Sequence, residues 1–199
     1  MFILGLTGSL GMGKSTTAGF FAEAGVPVHD ADAVVHGLYE GEAVAAIEAA
    51  VPGTTSAGKV DRDKLAARVL DAPEALRALE AIVHPLVRQA EERFLADARA
   101  RGAKVVVLDI PLLLETASDQ RVDAIVVVSA PSDVQRQRVL ERAGMTPDKL
   151  DALLARQMAD SEKRRHADFV VDTSRGFDAA RAQVQEILRA VATMPKRRR

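Results

Sequence analysis

At 199 residues, with 48% hydrophobic side chains and a net charge of −1, the chain can bury one good core, with or without a sizeable insertion. It carries no global field to draw in nucleic acid or a membrane surface. The absence of cysteine excludes disulfides, thiolate nucleophiles and cysteine-ligated zinc; no apolar run approaches the roughly 18 residues of a membrane span, and the first residues lack a basic leader, so a cytoplasmic protein is expected.

The apolar run 2–6 reads as a strand buried on both faces of a parallel sheet. From Gly8 to Ser15 the next stretch spells G-x-x-x-x-G-K-S, the P-loop, set between that strand and a helical pattern from about Lys14 to Ala24. Glycines at 8, 11 and 13 let consecutive backbone N–H groups converge on phosphate oxygens, and the helix points its positive end at them. Lys14 should reach the β- and γ-phosphates and the Ser15 hydroxyl a magnesium ion; at Met12 only the backbone is needed. The helix closes at Gly25, and 26–29 reads as a second strand whose Pro27 argues for an edge. It ends in Asp30-Ala31-Asp32, at the carboxyl end where open α/β sheets bind ligands.

From 33 to 100 the periodicity is helical, without strand alternation, and is split by a turn at 51–58. Asp71-Ala72-Pro73-Glu74 has the form of a capping box, and His84-Pro85 predicts a helix break. A block of about seventy residues is too long for a plain connection and reads as an insertion that forms a substrate lobe. The valine-rich strand 104–108 ends in Asp109, the Walker-B position, able to hold magnesium through water or to fix the P-loop serine. A fourth strand covers 123–128. Thr146-Pro147 reads as N-cap and N1, giving two helices joined at Gly144. A charge run of this kind is ordinarily a solvated face, but Arg138 and Arg142, four apart in a P-loop protein, favour a mobile lid. A fifth strand at 167–172 precedes a last helix capped by Asp178, and the basic tail Lys196-Arg197-Arg198-Arg199 is expected to be disordered rather than to bind nucleic acid.

The GTPase N-K-x-D and the ABC-type L-S-G-G-Q are absent. Gly5-Leu6-Thr7-Gly8, Asp30-Ala31-Asp32, Ile82-Val83-His84-Pro85-Leu86, the run Asp109 to Glu115, Gln135-x-x-Arg138-x-x-x-Arg142, Arg156-Gln157 and Ala167-Asp168 stand in the order and spacing of dephospho-CoA kinases, which the sequence resembles over nearly its whole length. The resemblance implies transfer of the ATP γ-phosphoryl group, with Mg²⁺, to the ribose 3′-hydroxyl of dephospho-CoA, the last step of coenzyme A synthesis. It implies an α/β, P-loop kinase-like three-layer fold with a five-stranded parallel sheet, a helical substrate-binding insertion at 33–100 and a helical lid at about 135–165; 1–32 and 101–199 form the nucleotide-binding core.

Residue by residue, the catalytic set is Lys14, Asp32, Arg138 and Arg142, and the ATP-binding set is Gly8, Gly11, Met12, Gly13, Lys14, Ser15 and Thr16. Asp30, Asp32, Arg62 and His84 are assigned to the acceptor, and Ser15 and Asp109 to the metal. Asp32 is expected to orient the acceptor hydroxyl; as alternatives it binds magnesium through water or caps a helix from Ala33, and Asp30 is close enough to share its role. The chain departs from many family members at Ser9, Met12 and His36, the last standing where arginine is frequent. A monomer is expected. Two other readings stay open: a nucleoside monophosphate or shikimate-type kinase, whose own acceptor motifs are not seen, and a nucleotide-binding regulator without transfer activity.

Overall fold

The structure is a computed structural model that describes residues 1–197; Arg198 and Arg199, the end of the basic tail, lie outside the described residues. In chain order, β1 (Phe2–Thr7) runs through the P-loop into α1 (Lys14–Glu23), and β2 (Val28–Asp30) into α2 (Ala31–Tyr39) and α3 (Val44–Ala50). The short strands β3 (Thr55–Ser56) and β4 (Lys59–Val60) precede α4 (Arg62–Val69) and α5 (Pro73–Ala100). After these come β5 (Val105–Asp109), β6 (Ala124–Ser129), α6 (Ser132–Leu140), α7 (Pro147–Leu154), α8 (Asp160–His166), β7 (Phe169–Asp172) and α9 (Phe177–Val191). The chain divides into two compact units, residues 1–29 with 98–199, and residues 30–97. No helix among the described residues is long and apolar enough to cross a membrane.

In the first unit the sheet order is β2-β5-β1-β6-β7, with β1 central and parallel to both neighbours. Every residue of β1 and β6 is buried, which is why these strands are continuous apolar runs rather than alternating ones. Leu6 is level with Asp109 in the β1–β5 register, so the acid ends its strand beside the entry to the P-loop. At the opposite end of the sheet, Asp123 Oδ2 accepts the Ile3 N–H and Asp168 Oδ2 accepts the Ile125 N–H, both at 2.8 Å. Each carboxylate satisfies an amide at or just inside the start of the neighbouring strand, which gives Ala167-Asp168 a structural role. Phe20, Phe21, Val184 and Ile187 of α1 and α9 cover Leu4, Leu6 and Val126, each side chain contributing roughly 1.5–3 kcal/mol on full burial.

Three expectations for this unit are corrected. The 135–165 segment holds three helices rather than two, because the chain breaks at Gly144 (φ 74°) and again before Asp160, where the Met158 N–H donates to Glu115 Oε1 instead of to a helical carbonyl. Gly176, not Asp178, occupies the N-cap of α9. Arg197 folds back to donate to Asp168 Oδ2 at 3.0 Å, so the described part of the tail is engaged.

The second unit packs Leu38, Ile47, Val51, Leu65, Leu79 and Val83 into its own core. It is not wholly helical. Thr55 pairs with Val60 and Ser56 with Lys59 around Ala57 and Gly58, both at positive φ (50° and 76°), the geometry of a two-residue hairpin turn. The expected break at His84-Pro85 does not occur: α5 runs for 28 residues through Pro85. His84, Pro85 and Ala81 are all exposed, while Leu79 and Val83 of the same helix are buried in the core of this unit, and that packing offsets the bond lost at the proline. Ala72 rather than Asp71 takes the N-cap position of α5, accepting the Leu76 N–H at 3.0 Å.

Candidate active site

Gly13 (φ 90°) stands at the N-cap of α1, with no side-chain cap and no acid in the first turn. The leading N–H groups of the helix therefore lack the partner an ordinary cap supplies, which makes a phosphate site. Gly8 and Gly11 are fixed by packing: a Cβ at Gly8 would stand 2.7 Å from the Val128 carbonyl oxygen, and one at Gly11 (φ 79°) 2.3 Å from Val139 Cγ2 on α6. Gly11→Ala should thus cost about 2–4 kcal/mol, from left-handed strain and overpacking together, measured by urea unfolding; a loss below ~0.5 kcal/mol would show that α6 yields freely. Met12 is 2% exposed, and its Sδ accepts the Ala130 N–H at 3.2 Å, so its side chain anchors the loop as well as supplying backbone. Lys14 Nζ lies 2.6 Å from Asp109 Oδ1, an acid only 1% exposed. Ser15 and Thr16 are exposed.

Beside the loop opens a cavity of ≈ 250 Å³ lined by Gly11, Gly13, Thr16, Arg138, Arg142 and Thr173, among others. Arg138 directs Nη1 and Nη2 to the Thr173 Oγ1 and carbonyl oxygen, at 2.9 and 2.8 Å, and the Thr173 hydroxyl donates to the Met12 carbonyl at 2.8 Å. Thr173, which joins the P-loop to an arginine of the charged segment, was not foreseen. Its signal was positional: it is the first residue past β7, at the carboxyl edge where ligand contacts gather.

Glu115, the last residue of the Asp109 motif, places Oε1 2.8 Å from Lys163 Nζ on α8, whose side chain is fully buried. Burial pushes the Glu115 carboxyl up, but Lys163 and the Met158 N–H outweigh it and hold it below the ordinary carboxylate value. This pair was likewise unforeseen.

In the second unit the two aspartates separate in role. Asp30 Oδ1 accepts the Ala33 N–H at 3.0 Å and caps α2, which begins at Ala31; Asp32 is therefore not the cap. Instead it lines a cavity of ≈ 570 Å³ together with Arg62, over walls that include Val35, Leu65 and Val69. Arg62 Nη2 lies 3.0 Å from His36 Nδ1. A guanidinium only donates, so Nδ1 is the acceptor in this contact. The same guanidinium sits 5.7 Å from the centre of the Tyr39 ring. His36 thus holds Arg62 in place. His84, exposed on α5, lies outside the lining of this cavity.

A family model described as dephospho-CoA kinase matches residues 2–179. The chain belongs to the dephospho-CoA kinase family. A curated dephospho-CoA kinase from Rhodopseudomonas palustris is 63% identical over 198 residues, covering 100% of both chains. Among solved structures, TT1252 from Thermus thermophilus superposes with a TM-score of 0.84 at 34% identity, covering 97% of this chain and 98% of that one. The dephospho-CoA kinase from Campylobacter jejuni, at 23% identity and a TM-score of 0.68 over 95% and 96% of the two chains, shares the fold. Family membership carries the activity, ATP-dependent phosphorylation of dephospho-CoA in coenzyme A biosynthesis, and a kinase of the P-loop fold implies ATP as the donor.

Proposed function

We propose that the chain phosphorylates the ribose 3′-hydroxyl of dephospho-CoA, and that the residues of the two cavities divide the work. Gly8, Gly11, Met12, Gly13 and Thr16 hold the triphosphate through backbone and first-turn groups, while Lys14, Arg138 and Arg142 meet the charge that spreads over the γ-phosphoryl oxygens in a loose transition state. The bond from the acceptor O3′ to phosphorus forms as the bond from phosphorus to the bridging oxygen of the departing ADP breaks, and the hydroxyl proton passes to Asp32. Arg62, braced by His36, takes an anionic group of the acceptor, with Asp30 keeping α2 in place beneath Asp32. The donor set suits a metal that arrives on phosphate: Ser15 offers an exposed hydroxyl, Asp109 is already paired with Lys14, and no cluster of three or more ligating side chains exists among the described residues. Mg²⁺ held by Ser15, with Asp109 acting through water, would supply charge neutralisation at the phosphates. Residues 30–97 form the acceptor lobe, and the enzyme works as a cytoplasmic monomer.

What supports this reading most is that Arg138 and Arg142 share one cavity with the loop glycines at the uncapped end of α1. Two measurements test it. Dephospho-CoA lacking the 3′-hydroxyl should accept no phosphoryl group, and its phosphorylation would overturn the assigned position. Lys14→Met should lose at least ~2.7 kcal/mol of transition-state stabilisation, about a hundredfold in kcat. Because Asp109 then loses its cation, the free enzyme should also melt lower, so turnover is measured well below that transition. Near-normal turnover would remove Lys14 from the chemistry.

A further inference from the structure

Two glutamines that stand out in the sequence have no part in the chemistry above. Gln135, buried on α6, donates from Nε2 to the Leu10 carbonyl oxygen at 2.7 Å. Gln157, between α7 and α8, accepts the Leu10 N–H on Oε1 at 3.1 Å. The two peptide planes on either side of the Leu10 Cα are thus held from opposite flanks of α7, one by a donor and one by an acceptor. Leu10 lies midway through the P-loop, next to Gly11, against which α6 packs through Val139 and the Gln135 backbone. A loop with this many glycines loses much conformational freedom on ordering, so bonds that fix it beforehand lower the entropy lost when nucleotide binds.

We propose that Gln135 and Gln157 are positioning residues that clamp the Leu10 peptides. The clamp aims the P-loop amides before ATP arrives and registers both feet of the α6–α7 arm on the loop. The proposal rests on the P-loop as the ATP site, but not on the identity of the acceptor. It also bounds the lid: the segment is pinned at Gln135 and Gln157, and below the latter by Lys163, so movement over the phosphates belongs to the stretch 141–156, which contains Arg142 and is largely exposed apart from the buried Leu150.

The test is a double-mutant cycle with Gln135→Met and Gln157→Met, near-isosteric changes that remove the donor and the acceptor. ATP affinity is measured by calorimetry without acceptor, next to melting temperature. Each single change should weaken ATP about 5–10-fold, the worth of one hydrogen bond. The double change should weaken it little more than the worse single, because a peptide released on one side is no longer aimed by the other. Losses that multiply, or unchanged affinity with a lowered melting temperature, would reduce the two residues to separate packing roles and overturn the clamp. Should Gln135→Met fail to fold, amide exchange in Gln157→Met decides: the Leu10 amide, which loses its acceptor, and the Met12 amide, bonded to the Ser9 carbonyl within the loop, should exchange at least tenfold faster than in the wild type, and unchanged exchange at Met12 overturns the proposal. Exchange needs no nucleotide. A wild-type protein that binds ATP but does not phosphorylate dephospho-CoA would refute the acceptor assignment and leave the clamp standing.

Discussion

Asp32→Asn is expected to lower kcat by about 10²–10⁴-fold while leaving ATP affinity and folding nearly intact. The structure makes this substitution cleaner than the sequence alone allowed. Asp30, not Asp32, carries the capping bond of α2, so asparagine at 32 removes no cap, and the loss of a first-turn negative charge costs only about 0.3–1 kcal/mol. A ribose hydroxyl does not ionise beforehand; in a loose transition state its proton leaves late, and a carboxylate that accepts its hydrogen bond both aligns the oxygen and takes the proton. Asparagine keeps the shape and loses the basicity. If Asp32 instead served a metal through water, raised Mg²⁺ would restore part of the rate, whereas a positioning carboxylate gains nothing from it. Wild-type kcat in the mutant ends the assignment, and transfer of the full effect to Asp30→Asn, with α2 still folded, would move it two residues upstream.

Glu115→Gln should destabilise the protein by about 3–5 kcal/mol, because it leaves a fully buried ammonium without its counter-charge. Thermal unfolding would register this as a fall of about 6–20 °C. Lys163→Met should cost less: Glu115 is 17% exposed and keeps the Met158 N–H, so it has water and a second donor when the lysine is gone. Joining Glu115→Met to Lys163→Met should recover part of the loss, since two apolar groups leave no buried charge unpaired and only the Met158 N–H loses its acceptor. The pH dependence has a definite sign. The folded pKa of Glu115 lies below the ordinary value of 4.5, so its contribution is complete above that value and lost as pH falls through the folded one. Glu115→Gln should therefore flatten part of the acid limb below about pH 4.5. Equal melting temperatures for wild type and Glu115→Gln would mean that Lys163 does not depend on its partner.

What the sequence disclosed about this molecule depended on the range of each interaction. β1, the P-loop and α1 were legible as a unit because phosphate binding demands glycine, lysine and serine at fixed spacing between a strand and a helix. The doubly buried strands were legible as uninterrupted valine runs. The β3–β4 hairpin was not, since its strands have two residues each and its turn uses Ala57, a residue that seldom signals positive φ. Pro85 misled because Leu79 and Val83 before it are buried in the core of the second unit and Leu86 and Val87 after it pack against that core, so tertiary burial offsets the local cost of the proline, and such burial is not written in a local pattern. The D-x-D segment left Asp32 open as a helix cap, and only the backbone showed that Asp30 makes the capping bond. Hardest to see were the contacts that assemble the site: Thr173 with Met12, Gln157 with Leu10 and Glu115 with Lys163 link distant stretches, and no spacing rule joins them.

The strand order also carries a consequence for synthesis. Leu4 in the central strand pairs with Val107 on one side and Ala124 on the other, so each partner leaves the ribosome more than a hundred residues after it. At typical elongation rates that is a delay of roughly 5–20 s during which Phe2, Ile3 and Leu4 have no sheet to join. Residues 30–97, whose core is built from neighbours in sequence, can collapse within that interval, since closing short loops costs little. The nascent chain thus completes the unit of residues 30–97 before the sheet that carries the P-loop. The most apolar end of the protein waits exposed in the meantime, as a natural docking segment for a holding chaperone and the first place to look when overexpression yields aggregates.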